Sequence, residues 1–176
     1  MAGQIALQAA QLSLNFLAGS LNFTVSSTPP TFVPGLVWIN SGQSNTPYFW
    51  NGTTWVNGKT RYLTLLTADP NTSGAGGTRA TKVSDLVEVT TPGFARSAVT
   101  MGLSSNNLPC VTTNTGMINF GPVTADMAVP AKWAALVTVQ SGSAGILCYT
   151  WDGFNEQVSA SQVIEVPVNG LILSQQ

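Results

Sequence analysis

Pro47-Tyr-Phe-Trp50, then Asn51-Gly52, then Thr53-Thr-Trp-Val56 places two short runs of aromatic and β-branched residues around a dipeptide that accepts positive φ, as a tight hairpin requires. The same punctuation returns at Asn57-Gly58 and Asn169-Gly170, with Asp152-Gly153 as its acidic counterpart. Thr, Val and Ile together supply 44 of the 176 residues, whereas Glu and Lys supply six. Side chains stiff at χ1 favour pleated strands over helices, so the chain reads as all-β.

Working outward, strands are expected at Leu36–Asn40, Pro47–Trp50, Thr53–Val56, Arg61–Thr67, Leu86–Thr90, Ala95–Met101, Met117–Phe120, Lys132–Val139, Gly145–Trp151, Gln162–Val166 and Leu171–Leu173. Many short strands with frequent turns imply an antiparallel β-sandwich or barrel. No period of 20 to 50 residues recurs, which disfavours a solenoid or propeller. At 18.4 kDa the chain buries roughly 70 % of its unfolded surface on folding, enough for a core without metal or disulfide.

Charge is sparse. Six Lys/Arg and seven Asp/Glu make 7 % of the chain, against about 25 % in an ordinary soluble domain. A net charge of −1 leaves little repulsion between copies and no basic field for phosphates, so nucleic acid is not an expected partner. Histidine is absent, which removes the commonest general base and zinc ligand. Cys110 and Cys148 either pair or remain buried thiols; the latter suits the apolar neighbours Leu147 and Tyr149. Glutamines at 4, 8 and 11 interrupt the first apolar run, and neither a secretion signal nor a membrane span is expected.

The charges divide the chain at residue 58, because every one of them lies at or after Lys59. Residues 1–58 are expected to form an uncharged N-terminal arm with the aromatic hairpin, and residues 59–176 the sandwich or barrel domain. A neutral segment carrying Ile5, Leu7, Leu12, Leu14, Phe16 and Phe23 is too apolar for a solvated tail. These six are the candidate subunit-interface residues, in an extended arm that pairs with a neighbouring copy. Residues 68–84 form a long surface loop with little to pack.

Catalytic readings find little support. Gly74-Ala-Gly76-Gly77-Thr-Arg79 lacks the third glycine of a dinucleotide fingerprint, and no Gly-Lys-Ser/Thr follows. Asp85 with Glu88, or Asp152 with Glu156, are carboxylate pairs whose spacing does not place them across a cleft. Cys110 has no histidine to activate it. No catalytic, cofactor or metal site is expected. Trp38, Tyr48, Trp50 and Trp55 are candidates for subunit contact or core filling, with sugar stacking as the sharper reading.

Gly35-Leu-Val-Trp-Ile-Asn40 followed by Tyr48-Phe-Trp-Asn-Gly-Thr-Thr-Trp-Val56 resembles a small hairpin of tailed-phage virion proteins. Over residues 61–173, Leu63–Pro70, Gly93-Phe-Ala-Arg96, Val99-Thr-Met101, Ile118–Asp126, Trp133–Val137, Gly145–Tyr149 and Val163–Leu173 resemble a tailed-bacteriophage β-sandwich family labelled head-decoration, head-fibre or tail-fibre proteins. The chain departs from that pattern at Phe94, where tyrosine is usual, and at Met127, where tryptophan is common. The resemblance implies a virion structural protein, a homotrimer without catalytic residues. The expected role is a capsid decoration or cement protein on the capsid surface, with itself and the major capsid protein as partners and no membrane. The alternative is a tail or tail-fibre component that binds a host surface glycan.

Overall fold

The computed structural model describes residues 3–5, 22–33, 36–50, 53–58, 61–102 and 110–175, which form an all-β fold. In chain order the strands are β1 (Gly3–Ile5), β2 (Asn22–Ser26), β3 (Leu36–Asn40), β4 (Thr46–Trp50), β5 (Trp55–Asn57), β6 (Tyr62–Leu66), β7 (Ser97–Ala98), β8 (Cys110–Thr113), β9 (Ile118–Phe120), β10 (Trp133–Val137), β11 (Leu147–Trp151), β12 (Ile164–Val166) and β13 (Ile172–Gln175).

The main sheet has the order β1-β11-β10-β6-β7 and is antiparallel throughout. Leu63 and Leu65 of β6, Ala134 and Leu136 of β10, and Tyr149 and Trp151 of β11 point to one face, because alternate residues of a strand share a face. Of two further antiparallel ribbons, β9–β12 contributes Ile118, Phe120, Ile164 and Val166 to the same core, and β13–β8 packs Leu173 against it. Sheet and ribbons enclosing one apolar layer make the body sandwich-like, as expected. The opposite face of the sheet is also covered. Leu66, Ala135, Val137 and Leu147 pack there with Ala80 and Val83 from the long loop.

Burial on both faces accounts for the near-continuous apolar runs Leu63-Thr-Leu-Leu66 and Ala134-Ala-Leu-Val137. A bulge at Cys148 adds one residue opposite the Leu136–Val137 step, so Leu147 and Tyr149 serve opposite faces although two positions apart.

Two short devices hold the ribbons. Asn114 is fully buried: its Nδ2 donates to the carbonyls of Gly116 and Pro167, both at 2.8 Å, and its Oδ1 accepts from Leu171 N–H at 2.9 Å. Phe94 stacks on Phe120 at 5.2 Å between ring centroids, and Gly93 before it adopts φ +87°. A Cβ at Gly93 would lie 2.5 Å from the Pro122 carbonyl oxygen, so both conformation and space demand glycine there.

Several expectations change. The long loop does pack, through buried Ala80 and Val83. The expected strand at Leu86–Thr90 reduces to a bridge between Leu66 and Glu88, and Ala95–Met101 reduces to β7. The cause is competition for one edge of β6: Ser97 and Ala98 take Leu63 and Tyr62, while Val89 and Val87 bond Leu65 and Thr67. Strands β2 and β8 are additions. Gly3–Ile5, expected in an arm that pairs with a neighbouring copy, instead pair as β1 with β11 of the same chain, Ile5 opposite Tyr149. The aromatic hairpin is part of a larger sheet.

Candidate functional site

That sheet has the order β2-β3-β4-β5, and its register decides which aromatics meet. Trp38 lies opposite Tyr48, and Trp50 opposite Trp55. Since Tyr48 and Trp50 are two residues apart, all four rings fall on one face. Trp38 and Tyr48 approach to 4.6 Å between centroids, while Trp55 meets Trp50 edge-on at 5.6 Å and Trp38 at 5.9 Å.

A fifth ring completes the cluster. Phe32 stacks on Trp50 at 4.8 Å with the planes 14° apart, and meets Trp55 edge-on at 6.3 Å. It comes from the connection between β2 and β3, which are parallel and therefore need a crossover rather than a tight turn. The connection is pinned over the aromatic face: Trp38 Nε1 donates to the Ser26 carbonyl at 3.0 Å, and Trp55 Nε1 to the Pro30 carbonyl at 3.1 Å. Tyr48 donates its hydroxyl proton to Gln43 Oε1. Trp38 is only 4 % exposed. Tyr48, Trp50 and Trp55 are half-buried and Phe32 is 38 % exposed, so the rings cover one face of the small sheet, with the indole N–H groups of Trp38 and Trp55 committed to its own backbone.

Part of the exposed apolar surface lies at this sheet's edge. β2 pairs with β3 on one side only, and no described strand covers the other. Phe23 and Val25, two positions apart, are 55 % and 64 % exposed, and Val33 in the connection is 54 % exposed. Asn22-Phe-Thr-Val-Ser26 carries neither charge nor proline, the usual means by which an edge strand avoids pairing with another chain. Of the six interface candidates, Phe23 is at this edge and Ile5 is in β1. Leu7, Leu12, Leu14 and Phe16 lie outside the described residues.

A second feature belongs to the body. A groove of about 710 Å³ is lined by Val83, Leu86, Glu88, Phe94, Arg96 and residues 140–143, among others. Arg96 donates from Nε to Glu88 Oε2 at 2.9 Å and from Nη2 to Glu88 Oε1 at 2.5 Å, and its Nη1 reaches the Val139 carbonyl at 3.0 Å. Thr64, otherwise buried on the loop-covered face, donates its hydroxyl to Glu88 Oε2 at 2.6 Å. Burial opposes ionisation of Glu88, but the bonds from Arg96 and Thr64 and the guanidinium charge outweigh it and hold the carboxyl below its ordinary range.

The remaining carboxylates do not form opposed pairs. Asp85 accepts from the Thr81 N–H at 2.9 Å, while Glu88 is committed to Arg96. Asp126 accepts from the Ala160 N–H at 2.8 Å, and Asp152 and Glu156 are exposed. Around Gly74 the backbone closes on itself, with Gly74 N–H on the Thr78 carbonyl at 2.7 Å and Gly77 N–H on the Gly74 carbonyl at 3.1 Å. No group of three His, Cys, Asp or Glu residues suited to a metal occurs among the described residues. Cys148 is a free, half-buried thiol whose pKa burial pushes up, with the charge of Arg61 opposing.

Sequence reasoning missed Phe32 and the Glu88–Arg96 clamp, since neither partner is marked by local spacing. Comparisons with protein families, with curated proteins and with solved structures return no match.

Proposed function

We propose that this chain is a decoration, or cement, protein of a tailed-phage head, a homotrimer on the capsid surface that stabilises the shell through contacts with its own copies and the major capsid protein. The observation that carries this reading is the uncharged edge of β2, which no described strand covers, with Phe23 and Val25 exposed on it. Such an edge presents backbone donors and acceptors beside apolar side chains, so covering it with protein gains both ladder bonds and apolar burial. The resemblance of residues 61–173 to virion β-sandwich proteins supports a particle as the setting. Gly93, Phe94 and Arg96, which carry part of that resemblance, have framework roles here, which suits a structural protein.

The energetics favour many small contacts over chemistry. At about 25 cal/mol per Å² of apolar area, each additional 1,000 Å² of contact contributes on the order of 25 kcal/mol before the costs of ordering. Repetition around a shell multiplies that contribution, and cyclic symmetry reuses one patch at each copy. The reading assigns the chain no catalytic step.

The test is the protein's abundance in purified particles and its retention on them. Hundreds of copies per particle, with Val25→Lys lowering retention, are expected. A handful of copies per particle would instead support the tail or tail-fibre reading, and full retention of Val25→Lys would remove the β2 edge from the interface.

A further inference from the structure

We propose that the groove containing Glu88 and Arg96 binds a neutral saccharide, whose adjacent hydroxyls engage the carboxylate and the guanidinium together. The proposal stands independently of the capsid reading, which concerns a different sheet.

The ion pair is already built and held. Arg96 exposes 7 % of its side chain and Glu88 24 %, and the guanidinium is fixed by both carboxylate oxygens and by the Val139 carbonyl. Thr64 fixes the carboxylate from the opposite direction along the chain. A ligand meeting this pair has no long side chain to immobilise, so the ordering cost of binding is reduced.

The chemistry of the pair selects its ligand. An anion attracted by Arg96 meets Glu88 beside it, and a cation attracted by Glu88 meets Arg96, so net charge gains little. A hydroxyl both accepts and donates, and two neighbouring hydroxyls match a donor and an acceptor placed side by side. Val83, Leu86 and Phe94 supply an apolar part of the lining for the C–H surface of a sugar ring, while Gln140, Ser141 and Ser143 supply further polar groups. The groove, of about 710 Å³, is shallow and open, a shape that suits a ligand lying along the surface rather than one enclosed by it. Within the tryptophan cluster, Trp50 already stacks on Phe32 at 4.8 Å between centroids, so one of its faces is taken.

The test screens the full chain against an array of neutral oligosaccharides of glucose, galactose, mannose, rhamnose and N-acetylglucosamine, with sialylated members as anionic comparators. Binding to one or more neutral members is expected. Ala95→Trp, which places a large ring in the groove from an exposed position and keeps both Glu88 and Arg96, should weaken that binding at least tenfold while the melting temperature stays unchanged. Glu88→Gln should weaken it as well. The proposal is overturned by absence of neutral-saccharide binding, by preference for the sialylated members, or by binding that survives Ala95→Trp but is lost in Trp50→Ala.

Discussion

The small sheet β2–β5 and the body built around β6, β10 and β11 solve the same problem with different materials. The body layers aliphatic side chains on both faces of a sheet, with Leu63 and Leu65 on one side and Leu66 and Val137 on the other. The small sheet has strands of three to five residues and fills one face with Trp38, Tyr48, Trp50, Trp55 and Phe32. Aromatic rings bury about 150–250 Å² each, so a few of them give a short sheet an interior that aliphatic residues of the same number would not. The comparison separates two causes of low charge. Within the aromatic cluster, neutrality accompanies rings that pack on one another; at Phe23 and Val25 it accompanies exposure.

The largest effect is expected in the body. Phe120→Ala removes a fully buried ring stacked on Phe94 and should destabilise the chain by about 3–5 kcal/mol in denaturant unfolding. A loss under 1 kcal/mol would show that the two ribbons do not share a core with the main sheet.

Glu88→Gln comes next, at about 1–2 kcal/mol at neutral pH, since hydrogen bonds to a charged group are lost but the site is partly solvated. The pH dependence has a definite sign. The folded pKa of Glu88 lies below its ordinary value of 4.5, so the pair's contribution is complete above that value and declines as pH falls through the folded pKa. The difference between wild type and Glu88→Gln should therefore shrink on acidification to about pH 3. A difference independent of pH would mean that packing, not ionisation, carries the effect.

Phe32→Ala sharpens the contrast between the regions. It removes the stack on Trp50 and should cost about 1 kcal/mol, confined to the small sheet. Hydrogen exchange should then accelerate in β3–β5 and remain unchanged in β6, β10 and β11. Acceleration in both would show that the two sheets open as one unit.

Phe23→Lys is expected to have the smallest effect on folding, within about 0.5 kcal/mol, because the side chain is mostly in water. Its consequence should appear in sedimentation, as loss of the proposed trimer. An unchanged sedimentation coefficient would break the link between exposure at β2 and assembly.

Much of the strand pattern was legible locally. Leu36–Asn40 matches β3 residue for residue, and the Pro47–Trp50 and Thr53–Val56 runs overlap the antiparallel pair β4 and β5. The failures involve partners distant in sequence. Cys110–Thr113 is polar and short, and becomes a strand because β13 pairs with it. Leu86–Thr90 has strong β propensity but shares its edge of β6 with Ser97–Ala98. The candidate aromatics were identifiable by their crowding around Asn51-Gly52, whereas Phe32 entered the cluster only through the β2–β3 crossover.

Residue chemistry by itself determined the all-β class, the turn positions and the division between neutral and charged regions, because side-chain stiffness, tolerance of positive φ and ionisation are properties of single residues and their neighbours. Tertiary structure decided that Ala80 and Val83 of the long loop pack on one face of the main sheet, that Arg96 clamps Glu88, and that Trp38 is buried while Phe23 and Val25 face out. Those outcomes depend on which edge pairs with which, and on what then covers each face, quantities that no local stretch of chain contains.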